Sequence, residues 1–262
     1  MTAADKYTIE TITHIHTWVP DKLFSIRTTR PAQYRFIAGQ FARLGVAKCT
    51  PEGESIAWRA YSIVSAPHDE HLEFFSIVVP NGEFTSELAR MQAGDQLYLE
   101  KMNYGFLTTD RFECGKDLWL LSSGTGLAPF ISILYDLKTW EDYERVILVH
   151  SVRDPGELAY RELIEDMKHH EYFGEFAATR LRYVPVVTRT QTPGALGKRI
   201  TELIDNGELE RFTGTPFDHA RSRVMICGNP DMVDDLRKQF VGRGFSVSKR
   251  GQPGHLAVEN YW

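Results

Sequence analysis

Cysteine is scarce in this chain: Cys49, Cys114 and Cys227 are its whole complement among 262 residues, and no two stand close in sequence. That spacing argues against a disulfide framework and against an iron–sulfur cluster held by the chain itself, both of which need paired or closely spaced thiols. Long apolar runs are missing as well. No stretch of about 18 apolar residues occurs, and the first residues, Met1-Thr2-Ala3-Ala4-Asp5-Lys6, lack the basic segment and apolar run of a secretion signal. A cytoplasmic protein with no membrane partner is predicted. Excess positive charge is also lacking, the formal net charge being −5 with pI near 6.0, so nucleic acid is not an expected partner. The histidines His14, His16, His68, His71, His169 and His170 show no metal-ligand spacing tied to a carboxylate, and no metal site is predicted. Internal repeats and low-complexity segments are absent.

What remains is a globular composition, 42% hydrophobic and 25% charged, on a chain long enough for two domains with separate cores. Up to about residue 112 the pattern is one of short strands, at residues 7–17, 23–27, 34–37, 40–46, 58–64, 72–79 and 96–102, where β-branched and aromatic residues alternate with polar ones and turns carry Pro20, Pro31 and Gly39. Six or seven strands at this spacing predict an antiparallel barrel. One short helix is expected at residues 82–88, with the hydroxyls of Thr85 and Ser86 near its start and Gly94-Asp95 closing the segment. From Asp117 the rhythm becomes strand, glycine-rich turn, helix, with apolar runs at residues 118–121, 145–150, 183–187 and 224–226 and a helix over 130–140. Continuous apolar strands alternating with helices predict a doubly wound parallel sheet covered on both faces. The two domains are set at residues 1–112 and 113–262.

Arg59-Ala60-Tyr61-Ser62 is the densest group in the first half. On a strand Arg59 and Tyr61 share a face while Ala60 packs the other way, which offers a cation and a flat ring to one charged, planar ligand. Phe75-Ser76-Ile77-Val78 and Gly82-Glu83-Phe84-Thr85 follow, and a helix N-terminus there, with its unpaired N–H groups, would grip a pyrophosphate from the side opposite Arg59. Plain capping by Thr85 and Ser86 fits the same residues.

The second half opens on Ser122-Ser123-Gly124-Thr125-Gly126-Leu127-Ala128-Pro129, a strand-to-helix turn whose glycines allow close backbone approach and whose proline suits a first helical turn. Ligands of open α/β sheets lie at the carboxyl ends of the strands. Two further loops at that edge carry basic residues, His150-Ser151-Val152-Arg153 and Thr188-Arg189, with Lys198-Arg199 ten residues on, a set suited to a sugar phosphate. Cys227-Gly228-Asn229-Pro230-Asp231 is another strand-to-helix turn, and Cys227 also suits plain core. Val258-Glu259-Asn260-Tyr261-Trp262 ends the chain on two aromatic rings, which are expected to pack against the barrel or a flat cofactor.

Taken in order, these motifs resemble the ferredoxin–NADP⁺ reductase family, most closely its bacterial ferredoxin/flavodoxin reductases. The resemblance covers nearly the whole chain. It implies a six-stranded FAD-binding barrel followed by an NADP(H)-binding α/β domain, and an enzyme that passes electrons between NADPH and ferredoxin or flavodoxin, by hydride to flavin N5 and then single-electron steps. By the same resemblance Arg59 binds the FAD pyrophosphate, Ala60 lies beside it, Tyr61 stacks on one isoalloxazine face and Ser62 lies near flavin N5. Phe75, Ser76, Ile77, Val78, Glu83, Phe84 and Thr85 make the remaining FAD contacts. Thr125 stands between flavin and nicotinamide, and Gly124 and Gly126 shape the NADP loop. Arg153, Arg189 and Arg199 serve the 2′-phosphate, Gly228, Asn229, Pro230 and Asp231 lie near the nicotinamide ribose, and Val152, Thr188 and Cys227 are further NADP-binding residues. Tyr261 covers the other flavin face as a movable gate, Trp262 stacks on the adenine, and Glu259 matches an acidic residue of the plant-type members, making Ser62, Glu259 and Tyr261 the implied catalytic set. The chain departs from those members at its end, where Trp262 follows the tyrosine. A monomer is expected. Two other functions fit the same motifs: the NADPH-dependent reductase component of an oxygenase system, and a flavin-based redox sensor without turnover.

Overall fold

In the computed structural model, residues 6–50 and 53–260 are described. The first half is a six-stranded antiparallel sheet: β1 Tyr7–Val19, β2 Leu23–Thr29, β3 Phe41–Thr50, β4 Gly53–Ser62, β5 His71–Ile77 and, after the one-turn helix α1 Thr85–Leu88, β6 Gln96–Tyr104. Its order is β4-β3-β6-β1-β2-β5. The two ends meet where Ile63 pairs with Phe74 and the Val64 N–H donates to the Glu73 carbonyl at 2.8 Å, which curls the sheet into the expected barrel. Ile12, Ile26, Ala42, Leu44, Leu72, Phe74, Leu97 and Leu99 fill the interior.

Residues 34–37 do not form the predicted strand; the segment is a loop. Tyr34 and Phe36 are both buried in the barrel core, and the Arg30 guanidinium ties the loop down by donating to the carbonyls of Tyr34, Pro67 and Asp69. Burying two aromatic side chains contributes about 2–3 kcal/mol each, against about 1 kcal/mol net for each backbone hydrogen bond a strand would gain. The aromatic burial wins, and the period-2 pattern there reports inside and outside without pairing.

The second half is a five-stranded parallel sheet, ordered β11-β10-β7-β8-β9. In chain order it comprises β7 Asp117–Ser123, α2 Ala128–Leu134, α3 Leu137–Asp142, β8 Arg145–Val152, α4 Arg161–Asp166, α5 Gly174–Arg180, β9 Leu181–Val187, α6 Ile200–Asp205, α7 Glu208–Thr213, β10 Ser222–Gly228, α8 Pro230–Gly242 and β11 Leu256–Asn260. The continuous apolar strands serve both faces as expected. Leu118 and Leu120 pack toward α2 to α5, whereas Trp119 and Leu121 pack toward α6 to α8. The helix predicted over residues 130–140 is two helices, because the Asp136 carboxylate accepts the Lys138 N–H at 3.0 Å and starts α3 afresh. β11 is a further strand at the sheet edge, paired in parallel with β10, where only an aromatic tail was expected.

The two halves share one core. Leu23, Val64, Phe75 and Leu107 of the first half pack with Leu127, Ala128 and Ile131 of the second. Tyr160, in a left-handed conformation with φ of 60°, sends its ring between Trp18 and Phe75, and its hydroxyl donates to buried Glu73 at 2.6 Å, which also accepts from Arg27. Ser132 Oγ donates to the Ser65 carbonyl at 2.8 Å beside it. Among the described residues no helix is long and apolar enough to cross a membrane.

Candidate functional site

β4 sets Arg59 opposite Leu44 and Tyr61 opposite Ala42, so the two side chains share a register as the sequence predicts, with Ala60 and Ser62 on the alternate one. The Tyr61 ring is backed by buried Phe84 at 5.4 Å and by Phe74 at 6.5 Å, and its hydroxyl is 3.0 Å from Ser76 Oγ. Burial pushes the phenol up to about 12, so it stays protonated at any working pH. Arg59 is exposed and donates to the Trp58 carbonyl at 2.8 Å.

The neighbouring grip differs from expectation. α1 is a single turn, its Ser86 N–H is already bonded to the Gly82 carbonyl at 3.0 Å, and Thr85 Oγ1 bonds Val79 N and O instead of capping a helix. A four-residue helix carries little dipole. Glu83 faces cations: Lys48 at 2.9 Å, with Arg59 adding attraction, holds its carboxyl below the usual range. Phe75 turns its side chain to Tyr160 in the shared core, Ile77 closes β5 and the Val78 N–H is taken by the Lys22 carbonyl.

Across the cleft, β11 carries Glu259 to the barrel. Ser62 Oγ donates to Glu259 Oε1 at 3.4 Å, and a methyl group on Gly105 would lie 3.1 Å from Glu259 Oε2. Burial pushes this carboxyl up to about 7, partly opposed by the Ser62 hydroxyl. Tyr261 and Trp262 lie outside the described residues.

β7 and β10 are neighbours from which the chain leaves toward opposite sides of the sheet, and their carboxyl-end loops interlock. A Cβ on Gly126 would lie 2.3 Å from the Cys227 carbonyl oxygen, and one on Gly228, whose φ is +138°, 2.3 Å from Ser123 Oγ. The Asn229 N–H donates to Ser123 Oγ at 3.0 Å. The Asn229 side chain caps α8 by accepting from Asp231 N and Met232 N, and Pro230 fills the first helical position, so this trio is accounted for by the helix start. Cys227 is fully buried in the core. Gly124, by contrast, has a φ of +54° and open space on the side a Cβ would occupy, and Thr125 follows it in a 3₁₀ turn, Gly124–Leu127, that leads into α2.

Arg153 and Arg189 are brought side by side, both exposed, with the Arg189 N–H donating to the Arg153 carbonyl at 3.0 Å and Thr188 N–H to the Val152 carbonyl at 3.0 Å. The Arg153 N–H in turn donates to Glu157, which is paired with Lys22 of the barrel. Arg199 stands at the head of α6, beyond a loop that Leu196 pins back on β9, and Lys198 is engaged by Glu208 at 2.8 Å. His150, expected among the exposed basic residues of this edge, is completely buried.

Comparison with known proteins decides what this arrangement belongs to. The Oxidoreductase NAD-binding domain matches residues 120–238. The ferredoxin–NADP reductase of Azotobacter vinelandii is 41% identical over 254 residues, spanning 96% of this chain and 96% of that protein. The flavodoxin/ferredoxin–NADP reductase of Escherichia coli K12 is 35% identical over 252 residues, 96% of this chain and 97% of its own. The chain belongs to the ferredoxin/flavodoxin–NADP reductase family. A solved reductase of this family from Neisseria gonorrhoeae, with bound FAD and NADP, superposes with a TM-score of 0.89 at 38% identity, covering 98% of this chain and 99% of that one. As a member of the family the chain is an oxidoreductase, with the barrel-plus-parallel-sheet fold described above. Ser123 and His150 each bond one of the two turns at this edge, and motif reading left both without a role. Ser123 stands in the glycine-rich turn, and the signal for His150 is its place in the continuous apolar run 145–150 of a sheet covered on both faces.

Proposed function

We propose that the chain is an FAD-dependent enzyme that exchanges electrons between NADP(H) and ferredoxin or flavodoxin, with residues 1–112 as the flavin half and residues 113–262 as the coenzyme half. The observation that carries it is the contact between Ser62 of the barrel and Glu259 of the parallel sheet at 3.4 Å, which brings the flavin strand and the coenzyme sheet to one point. The residues fit the two cofactors. Arg59 offers an unburied guanidinium to a pyrophosphate, Tyr61 offers a ring held from behind by Phe84, and Ser76 fixes its hydroxyl. Backbone of β5 and of Glu83, Phe84 and Thr85 borders the same cleft, and Lys48 offsets the Glu83 charge beside Arg59.

On the coenzyme side, Gly124 takes the positive φ that starts the turn, while Gly126 and Gly228 let the two loops close on each other. Thr125, in the turn between Gly124 and Gly126, is assigned to the boundary of flavin and nicotinamide, Arg153 and Arg189 take the 2′-phosphate together, and Arg199 adds a third cation. FAD supplies the exchange between a two-electron and a one-electron carrier. The protein orients: Ser62 and Glu259 hold a proton-bearing pair at the meeting point, and Tyr61 is the fixed wall. Tyr261 and Trp262 complete the proposal as a cover for the opposite face and the adenine. One 30.0 kDa chain carries every residue named, and the proposal is for a monomer in the cytoplasm.

Coenzyme choice tests the assignment. Hydrogen bonds to charged groups are worth about 1.5–3 kcal/mol, and about 1.4 kcal/mol is a factor of ten. Arg153→Ala and Arg189→Ala should each lower kcat/KM for NADPH by about tenfold or more and leave NADH within about threefold. Equal losses with both coenzymes would remove the phosphate from this pair of arginines.

A further inference from the structure

His150 sits in β8, between Ser122 of β7 and Pro185 of β9 in the sheet register, with no exposed surface. Its Nε2 is 3.2 Å from the Gly124 carbonyl oxygen, and its Nδ1 is buried without a hydrogen-bond partner. A carbonyl can only accept, so Nε2 carries the proton and Nδ1 the lone pair. An unmatched buried nitrogen costs stability, and leucine would fill the same space among apolar neighbours without that cost. The one bond the ring makes is to the coenzyme loop. Burial holds the imidazole neutral by lowering its pKa to about 4, so this tautomer persists through the working range.

The loop is fixed at two points. Gly126 is wedged against the Cys227 carbonyl, and Gly124, in its positive-φ conformation, has its carbonyl held by His150. Thr125 lies between them. Without the His150 bond the Gly124 carbonyl keeps only the 3₁₀-turn bond of its own loop, and the peptide leading into Thr125 loses its tie to β8. We propose that His150 is a positioning residue for the reaction, a buried imidazole that orients the Gly124-Thr125-Gly126 loop on which the nicotinamide end of the coenzyme rests. This rests on the coenzyme reading given above.

The effect belongs to the rate of reduction rather than to coenzyme affinity, because the Arg153–Arg189 pair is held by backbone bonds independent of His150. With the flavin-loaded protein and saturating NADPH, His150→Leu should slow flavin bleaching by about tenfold or more, since small misplacements of a positioning loop carry large rate costs, while KM for NADPH stays within about threefold. His150→Gln, whose Nε2 reaches the same point and donates, should recover the rate to within about threefold. His150→Asn, one carbon shorter, should behave like His150→Leu and carries the test if the leucine variant does not fold. A role confined to stability would lower melting temperature without this order of rates. Wild-type rates in the leucine or asparagine variant, or a glutamine variant as slow as they are, overturn the proposal. Failure of the wild-type protein to be bleached by NADPH would instead remove the reading on which it rests.

Discussion

Gly126→Ala is expected to reduce NADPH-driven turnover by about a hundredfold or more. The reason is space and not backbone conformation. The new methyl would lie 2.3 Å from the Cys227 carbonyl oxygen, 2.5 Å from its carbon and 2.7 Å from Gly228 Cα, all of them β10 backbone at its carboxyl end. None of these atoms is the tip of a flexible side chain, so the two loops must part at the point where coenzyme is to be held. Overpacking of this kind costs about 1–3 kcal/mol, and displacement of a positioning loop by about 1 Å carries a rate loss near a hundredfold. Gly124→Ala makes the contrast. Its Cβ meets nothing within 4 Å, and only the positive φ opposes it, at about 1–2 kcal/mol. Steady-state ferricyanide reduction with NADPH, with melting curves alongside, separates them: Gly126→Ala should lose far more activity than Gly124→Ala, whereas equal activities would mean the loops are not interlocked as described.

Glu259→Gln should uncouple stability from pH across neutrality. The buried carboxyl has its pKa raised from near 4.5 to about 7. Between those values the folded chain keeps a proton that the unfolded chain has released, so the stability associated with this group is present at low pH and falls as pH rises through 7. Between pH 5 and pH 8 the loss is about 2 kcal/mol. A neutral glutamine carries no such dependence. Wild type and variant should therefore melt within about 2 °C of each other at pH 5, and the variant should melt roughly 4–8 °C higher at pH 8. Parallel curves at both pH values would show that Glu259 is hydrated. The same carboxyl should place an inflection near pH 7 in the kcat/KM profile for NADPH that the glutamine variant lacks.

Much of the fold was legible because the two halves use different periods. Alternation in β1 to β6 and continuous apolar runs in β7, β8 and β10 each state which faces are buried. The loop at Tyr34 and Phe36 mimics a strand because two aromatics one residue apart both find the core, and nothing local reveals that Arg30 takes up the carbonyls there. β11 is short and pairs in parallel with β10, a contact set by the folded sheet and not by its neighbours in sequence. At the site, the Arg59-Ala60-Tyr61-Ser62 strand and the two glycine turns were visible as motifs. The partners that give them geometry were not: Ser123 under Gly228, Lys48 beside Glu83 and His150 against Gly124 are all made by tertiary packing.

This cleft is expected to connect NADPH to a protein electron carrier. Stopped-flow mixing of the flavin-loaded protein with NADPH, followed by addition of oxidised ferredoxin or flavodoxin from the same cell, puts that connection to the test. Bleaching of the flavin by NADPH and its recovery at a rate that rises with carrier concentration is the expected result. Bleaching without carrier-dependent recovery, or no bleaching at all, would contradict it.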